Sequence, residues 1–185
     1  MRIIGGEVKG KILSFPSRSK ERPTSDFLRE TLFNLLGSLQ GKIFLDLFAG
    51  SGSVGLEAAS RGAQEVYLIE KNKNLIEIIK NNIQTCSLEQ KCRVIGADVA
   101  IGLRDLSKKK YEVDVVFADP PYNRNLAGRT LTSLNKYRVL REDGIVVIQH
   151  SIKENCAELL DENIYQIRQK KYGENALTFF RREGK

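Results

Sequence analysis

The sequence predicts a doubly wound α/β fold with a mostly parallel sheet, and two patterns indicate it. From about residue 42, short apolar runs alternate with segments of helical periodicity, as in successive strand–helix–strand units. The runs are almost continuously apolar, which is typical of strands covered by helices on both faces. Five runs are predicted to be strands, at residues 42–48, 65–70, 92–98, 113–119 and 144–150.

Helices and a terminal hairpin complete the predicted core. The segment VGLEAASRG predicts a short helix that ends at Gly62, because glycine favours helix termini. A second helix is predicted where apolar side chains recur at helical spacing, at Leu75, Ile76, Ile79 and Ile83. Two strand-like runs flank Gly173–Asn175 and predict a closing antiparallel hairpin.

Residues 1–40 differ from this alternation and are predicted to form a small extension. RIIGGEVKGKILSFP has short alternating runs with glycines, which indicates a small β-hairpin. A helix should follow, with Thr24, Ser25 or Asp26 as its N-terminal cap. We therefore predict an extension at 1–40 and an α/β domain at 41–185.

Composition narrows the class of protein. The chain has 185 residues, of which 41% are hydrophobic and 29% charged, as in ordinary globular domains. No apolar run is long enough to span a bilayer, and the N-terminus lacks the apolar segment of a signal peptide. The irregular spacing of the three cysteines favours reduced thiols and a cytoplasmic location: Cys86, Cys92 and Cys156.

The net charge of +7 is concentrated at the two ends of the chain. Residues 1–30 hold seven Lys/Arg against four Asp/Glu, and residues 165–185 hold six against two. A basic surface beside a neutral core suggests a polyanionic partner, most often nucleic acid. The alternative is a solvated charged face with no partner.

The segment DLFAGSGSVG at 46–55 predicts a ligand-binding turn between the first strand and its helix. Its glycines satisfy G-x-G-x-x-G, and Glu70 ends the next strand, 20 residues after Gly50. Such a turn lets the backbone approach a ligand closely, while the acid can accept hydrogen bonds from ribose hydroxyls. A cofactor that contains a nucleoside is therefore expected.

Two further acids favour S-adenosylmethionine over NAD as that cofactor. Asp46 ends the first strand, where an anion would repel a pyrophosphate but attract a cationic methionine group. Asp98 ends the third strand and could accept a hydrogen bond from an adenine amine. The alternative is that Glu70 and Asp98 only cap the helices that follow them.

The segment FADPPYN at 117–123 predicts a rigid corner after the fourth strand. Two consecutive prolines cannot continue a buried strand, because each lacks the N–H that pairing requires. The chain therefore leaves the sheet here, and Asp119 and Tyr122 leave it together. Alone, this could be a simple turn with a surface tyrosine.

DLFAGSG together with DPPY resembles the methyltransferases that act on exocyclic amino groups of nucleic-acid bases. With RPTSDFLRETLFNLLG and KKYGENALTFFRR added, the whole chain resembles the small-subunit (16S) ribosomal RNA guanine-N2-methyltransferase D family. This resemblance implies a Rossmann-like class I S-adenosylmethionine-dependent methyltransferase fold with seven strands. It also implies that residues 1–40 are an RNA-binding extension and that 41–185 form the methyltransferase domain.

The resemblance also implies how the corner would act. The Asp119 carboxylate and the Pro120 carbonyl would hold the two protons of a base amine and stabilise the charge that develops on nitrogen. Pro121 would help to keep the corner rigid, and Tyr122 would stack on the base. No separate general base is needed, because the methylated nitrogen loses its proton easily.

The complete set of implied site residues follows from the matched motifs. The cofactor would contact Asp46, Phe48, Ala49, Gly50, Ser51, Gly52, Glu70, Lys71, Asp98 and Val99. The RNA would contact Arg22, Thr24, Arg29, Lys170 and Lys171. Arg124, just after PPYN, is a further candidate for an RNA contact, with a solvated side chain as the alternative. Phe27 stands where the family usually has a basic residue, and Arg29 is expected to compensate.

The expected partner is small-subunit ribosomal RNA, free or within an assembling 30S particle, and the protein is expected to be a monomer. Three other functions remain open: an adenine-N6 methyltransferase, an NAD-dependent oxidoreductase, and an RNA-binding protein without catalysis. No metal site is expected at His150, the only histidine, because no Cys or acid lies at ligand spacing. His150 either lines a substrate site or packs at a strand end.

Overall fold

The protein is described by a computed structural model over residues 1–16, 25–121, 126–154 and 163–184. These ranges contain seven strands in the order β3-β2-β1-β4-β5-β7-β6. The elements along the chain are α1 (Asp26–Leu36), β1 (Ile43–Asp46), α2 (Ser53–Ser60), β2 (Glu65–Glu70), α3 (Lys73–Cys86), β3 (Cys92–Gly96), α4 (Val99–Lys108), β4 (Val113–Ala118), α5 (Leu126–Tyr137), β5 (Leu140–Ser151), β6 (Ile164–Tyr172) and β7 (Asn175–Arg182).

The pairing of the strands confirms the predicted sheet. Strands β1, β2 and β3 pair in parallel, and so do β4 and β5. Strand β7 is antiparallel to both β5 and β6, which is the predicted C-terminal hairpin. Strand β5 begins at Leu140 instead of Gly144, because Leu140 pairs with Val113 before a register shift. Helices α4 and α5 were not predicted individually.

The chain divides into two compact units, Met1–Asp98 and Val99–Lys185. In the first unit, β1 and β2 are almost wholly buried, and every residue of α2 is buried. Helix α3 buries Leu75, Ile79 and Ile83 of its predicted apolar face, and Ile76 is half-buried. In the second unit, β4, β5 and β7 supply most of the buried apolar residues, whereas β6 is largely exposed.

Helix α1 begins at one of the predicted caps. The Ser25 side chain accepts a hydrogen bond from the Leu28 N–H at 3.2 Å, which satisfies one of the free donors in the first turn. The helix buries Leu32, Phe33 and Leu36. Gly37 follows at a φ of 73° and donates its N–H to the Phe33 carbonyl.

The N-terminal segment turns back on itself and lies against α2. It forms a single antiparallel bridge between Arg2 and Ile12, so the expected hairpin is reduced to one bridge. The Glu7 N–H donates to the Ser60 carbonyl at 2.8 Å, and the Ser60 hydroxyl donates to the Gly5 carbonyl at 2.6 Å. Gly6, at a φ of 82°, lets the chain pass this close to Ser60.

The described cysteines behave as core residues. Cys86 and Cys92 are buried free thiols, and desolvation by burial raises the pKa of Cys92 to about 12. Cys156 lies outside the described residues. Within the described ranges, no helix is both long and apolar enough to cross a membrane, and no three potential metal-binding side chains lie together.

The contact between the N-terminal segment and α2 can be tested by a matched pair of glycine substitutions. Gly6 and Gly10 have similar positive φ values of 82° and 87°. A methyl group at Gly6 would overlap the Ser60 carbonyl, whereas one at Gly10 would meet nothing within 4 Å. We expect Gly10→Ala to lower the free energy of unfolding by about 1–2 kcal/mol through backbone strain alone.

Gly6→Ala should lower the free energy of unfolding by about 1–3 kcal/mol more than Gly10→Ala, because the overlap with Ser60 adds to the same backbone strain. Urea unfolding of both variants measures the difference. Equal losses for the two variants would show that the N-terminal segment does not lie against Ser60.

Candidate functional site

The predicted ligand-binding turn between β1 and α2 has the backbone that its glycines allow. Gly50 and Gly52 have φ values of 57° and 82°, a region that other residues enter only with strain. The Gly52 N–H donates to the Ala49 carbonyl at 2.7 Å, which closes a tight turn. Gly52 also caps α2, so the helix begins directly from the turn.

Two of the predicted acids hold this turn in place. Asp46 is 1% exposed, and its Oδ2 accepts the Gly55 N–H at 3.1 Å, which joins the end of β1 to the first turn of α2. Glu70 Oε2 accepts the Gly50 N–H at 3.0 Å. The hydrogen bond between Gly50 and Glu70 thus explains why an acid follows the glycine turn by 20 residues, whatever ligand is bound.

Glu70 does not cap the following helix. Its Oε1 accepts the N–H groups of Lys71 and Asn72 at 2.9 and 2.8 Å, both before α3 begins. The cap of α3 is Asn72, whose side chain accepts the Asn74 N–H. Glu70 instead organises the turn after β2 and the glycine turn after β1 together, which argues against the alternative that it is only a helix cap.

A third anchor, Asn82 on α3, was not predicted. Its side chain is fully buried, and its Nδ2 donates to the carbonyls of Ser51 and Ser14 at 2.9 and 3.0 Å. Its Oδ1 accepts the Ser14 N–H at 2.7 Å. One amide thus joins the glycine turn to the N-terminal segment, with both of its protons and its oxygen used.

The remaining cofactor candidates differ in their exposure. Ala49 and Ser51 are buried, and Phe48 is half-buried. Lys71 and Asp98 are exposed, with Lys71 Nζ 3.9 Å from Asp98 Oδ2. Val99 is the first residue of α4.

The surroundings of the turn suit a ligand with hydroxyl groups and positive charge. A methyl group built on Gly50 meets nothing within 4 Å, so the backbone there is open to a ligand. Carboxylates follow or end each of the three strands of the first unit, at Asp46, Glu70 and Asp98. They would repel a pyrophosphate and attract a cation.

The predicted amine-binding corner follows β4 in the second unit. Asp119 is half-buried, Pro120 is buried and Pro121 is exposed. Strand β4 ends at Ala118, so the prolines stop the strand where the sequence predicts. Tyr122 and Arg124 lie outside the described residues, as do Arg22 and Thr24.

Arg29 was predicted to contact RNA, and its position in the structure contradicts this prediction. Its side chain is fully buried, and its guanidinium lies 2.6 Å from Asp26 Oδ1, 2.8 Å from the Arg2 carbonyl and 3.8 Å from Glu57 Oε2. A phosphate cannot reach a guanidinium in this position. Arg29 therefore supports the N-terminal segment and does not replace the missing basic residue at Phe27, which is 64% exposed.

Glu57 is the partner that makes this burial possible. It is fully buried on α2 and accepts the N–H groups of Ile4 and Gly5 at 2.7 and 2.8 Å. It also accepts a charge-assisted hydrogen bond from Arg61 Nε at 2.7 Å. The sequence carried a signal for this buried contact, because Glu57 is the one acid in the otherwise small and apolar helix VGLEAAS.

Lys170 and Lys171 are both exposed on β6, but they point in opposite directions. Lys170 is opposite Leu177 on β7, and Lys171 is opposite Ala176. Successive residues of a strand face opposite sides of the sheet. The two lysines therefore do not form one patch on one face.

His150 packs within the second unit. It is 1% exposed, with Nδ1 2.8 Å from the Ser151 carbonyl and Nε2 2.7 Å from the Thr178 hydroxyl. A carbonyl can only accept, so Nδ1 carries the proton, and in the neutral ring Nε2 accepts from Thr178. This settles the open choice in favour of a packed strand-end histidine.

The comparisons with known proteins agree on one family. Residues 1–181 match the family model described as conserved hypothetical protein 95. The chain is 31% identical over 185 residues to the putative rRNA methyltransferase YlbH of Bacillus subtilis, covering 100% of both. It is 33% identical over 184 residues to ribosomal RNA small subunit methyltransferase D of Escherichia coli, covering 99% of this chain and 90% of that protein.

A solved structure shows the same fold along the whole chain. The putative methyltransferase yhhF from Escherichia coli superposes with a TM-score of 0.86 at 32% identity. The match covers 100% of this chain and 99% of that chain.

The role of Asn82 in holding the glycine turn can be tested with an isosteric substitution. Asn82→Asp removes both donors and places a carboxylate oxygen against the carbonyls of Ser14 and Ser51. We expect a loss of roughly 2–4 kcal/mol in the free energy of unfolding, because buried groups lose their partners. The neighbouring Asn81 is exposed, so Asn81→Asp should change stability by no more than about 0.5 kcal/mol.

Urea unfolding of the two variants provides the measurement. A loss for Asn82→Asp no greater than that for Asn81→Asp would contradict the anchoring role.

Proposed function

Because the chain belongs to the ribosomal RNA small subunit methyltransferase D family, we propose that it methylates the exocyclic N2 amine of one guanine in small-subunit ribosomal RNA. The methyl donor is S-adenosylmethionine. The observation that carries this proposal is the glycine turn held by Glu70, since it provides an open backbone beside carboxylates. Methyl transfer to an amine is the chemistry that the DPPY corner suits.

The cofactor is assigned to the turn at 46–55 and to the acids around it. Glu70 has used three of its roughly four acceptor positions on backbone N–H groups. Its remaining capacity can accept a ribose hydroxyl, while Asp98, exposed two residues after the end of β3, can accept from the adenine amine. Asp46 is buried under the turn, where its carboxylate provides a fixed negative charge and accepts the Gly55 N–H. When bound, S-adenosylmethionine supplies an electrophilic methyl group on a positively charged sulfur.

The base amine is assigned to Asp119 and to the Pro120 carbonyl. Hydrogen bonds from the two amine protons would favour a pyramidal nitrogen whose lone pair is available. These acceptors stabilise the positive charge that develops on nitrogen more strongly than the neutral ground state. Their fixed positions matter because alignment supplies much of the rate, with effective molarities on the order of 10⁵–10⁸ M.

The remaining assignments concern RNA and location. Residues 1–40 form the RNA-binding extension, with Arg22 and Thr24 as its contacts, and Arg124 is a further contact. The substrate is ribosomal RNA, free or in an assembling 30S particle, and the enzyme acts as a monomer. A cytoplasmic location agrees with this substrate and with the free thiols of Cys86 and Cys92.

The role of Asp119 can be tested by Asp119→Ala. We expect the rate of methyl transfer to fall at least on the order of 10²–10³-fold, because the charge on nitrogen loses its fixed anion. The affinity for S-adenosylmethionine, measured by calorimetry, should be retained. Asp114→Ala is the matched control on β4: this acid pairs with Arg141 at 3.0 Å near the surface, and its loss should leave the rate unchanged.

An unchanged rate for Asp119→Ala would overturn the proposed chemistry. A parallel loss in the Asp114→Ala variant would show that the effect is on folding.

The substrate can be identified by the methylated product. Labelled S-adenosylmethionine is offered with naked ribosomal RNA, small-subunit particles and DNA, and the products are digested to nucleosides. We expect label in N2-methylguanosine from ribosomal RNA or from particles. Label in methyladenosine would identify an adenine-N6 methyltransferase, and no label in any nucleic acid would overturn the proposal.

A further inference from the structure

Strand β6 is an exposed edge strand with an unusual register. It lies at one end of the strand order, and its side chains from Tyr165 to Lys171 are all exposed. Its pairing with β7 shifts between Gln166 and Arg168, so Ile167 is an extra residue in the strand. Such a bulge changes which side chains share a face.

The shift brings an aromatic ring and two cations to the same side of the hairpin. Tyr165 is opposite Arg181, Arg168 is opposite Phe179, and Lys170 is opposite Leu177. Arg181, Phe179 and Leu177 are alternate residues of β7 and therefore face one way. Without the extra residue, Tyr165 would face away from Arg168 and Lys170.

We name this side of β6 the Tyr165 face, made by Tyr165, Arg168 and Lys170. The opposite side carries Gln166, Gln169 and Lys171, of which Gln169 is tied to Thr178 by a hydrogen bond at 3.1 Å. One side thus presents two cations and an exposed aromatic ring, and the other presents amides and one cation. Lys170 and Lys171 are therefore neighbouring lysines on opposite sides of the hairpin, and their substitution can be compared.

The charge of the hairpin points to an anionic ligand. Strands β6 and β7 contain five cations and no Asp or Glu, and the turn between them carries one acid, Glu174. The cations are Arg168, Lys170, Lys171, Arg181 and Arg182. Arg182 is engaged with the Leu140 carbonyl, and Arg181 is half-buried. The cations free to meet a partner in solution are therefore those of the exposed strand, β6.

The Tyr165 ring adds a second kind of contact. Tyr165 is 44% exposed, and it is one of the large side chains that the fold leaves in solvent. An exposed ring beside cations is the combination that binds single-stranded RNA, because bases stack on the ring while phosphates meet the charges. Arg168 and Lys170 are two residues apart, about 6.7 Å along the strand, a separation comparable with that of neighbouring phosphates.

We propose that the Tyr165 face of β6 is an RNA-binding surface, which stacks one unpaired base on Tyr165 and holds adjacent phosphates on Arg168 and Lys170. This inference rests on the proposed function, since it assigns a second contact surface for the same RNA. Pairing of β6 with a strand of another protein is the competing use of such an edge. It is disfavoured here, because lysines and a bulge on an edge strand oppose the addition of a further strand.

The test compares two adjacent lysines of equal charge, both of them exposed. Binding of transcribed small-subunit ribosomal RNA is measured against salt concentration for the full chain and for Lys170→Gln and Lys171→Gln. Lys170→Gln should lower the slope of log affinity against log salt by about 0.7 to 0.9, the loss of one phosphate contact. The sequence predicted both lysines as RNA contacts, but Lys171 lies on the other side of the hairpin from the Tyr165 face, so Lys171→Gln should leave the slope unchanged.

The stacking contact is tested separately on the same RNA. Tyr165→Ala should weaken binding about tenfold, whereas Tyr165→Phe should retain it, because the ring and not the hydroxyl carries the contact. Affinity for S-adenosylmethionine should be the same in all four variants, which shows that each is folded.

Each outcome decides the matter. Equal slopes for the two lysine variants, or equal affinity for Tyr165→Ala and wild type, would overturn the Tyr165 face while methylation of ribosomal RNA by the wild type still supports the proposed function. If the wild type neither binds nor methylates ribosomal RNA, the proposed function and this inference both fail.

Discussion

The conformation of the turn at 46–55 depends on three polar anchors that come from three different elements. Asp46 at the end of β1 holds Gly55, Glu70 at the end of β2 holds Gly50, and Asn82 on α3 holds Ser51. Each anchor bonds a backbone group, so the turn keeps its shape without help from a ligand. A ligand that binds such a turn loses less free energy to ordering the protein, which is the advantage of a preorganised site. These anchors leave open space beside Gly50, where a ligand can approach the backbone.

The same unit also fastens the N-terminal segment, through buried polar groups. Asn82 bonds the backbone of Ser14, and Glu57 bonds that of Ile4 and Gly5 while it balances the charge of Arg29 and Arg61. Removing one partner of a buried ion pair typically costs about 3–5 kcal/mol, because the other charge is left uncompensated. The N-terminal segment is therefore an integral part of the first unit. Its backbone at Ile4 and Gly5 is hydrogen-bonded to α2, and its backbone at Ser14 is hydrogen-bonded to α3.

The strands, the glycine turn and the DPPY corner were predictable because they depend on local patterns. Continuous apolar runs, positive-φ glycines and paired prolines each have one dominant structural meaning. Arg29 was assigned wrongly because its burial depends on Glu57, 28 residues away along the chain, and on Arg2. The opposite directions of Lys170 and Lys171 follow from strand alternation, but the addition of Tyr165 to the Lys170 side depends on a bulge. Asn82 had a signal that was not used: it lies on the apolar face of α3, three residues after Ile79 and four before Cys86.

We propose that the glycine turn and the acids around it bind a cationic nucleoside cofactor and not a dinucleotide. Three carboxylates lie near the ends of β1, β2 and β3. Their negative charge would repel the pyrophosphate of a dinucleotide. The most direct test is a competition titration of the purified full chain, in which bound S-adenosylmethionine is challenged with S-adenosylhomocysteine and with NAD. We expect S-adenosylhomocysteine to displace the cofactor and a large excess of NAD not to displace it. Displacement by NAD, or failure of S-adenosylmethionine to bind, would contradict this assignment of the turn.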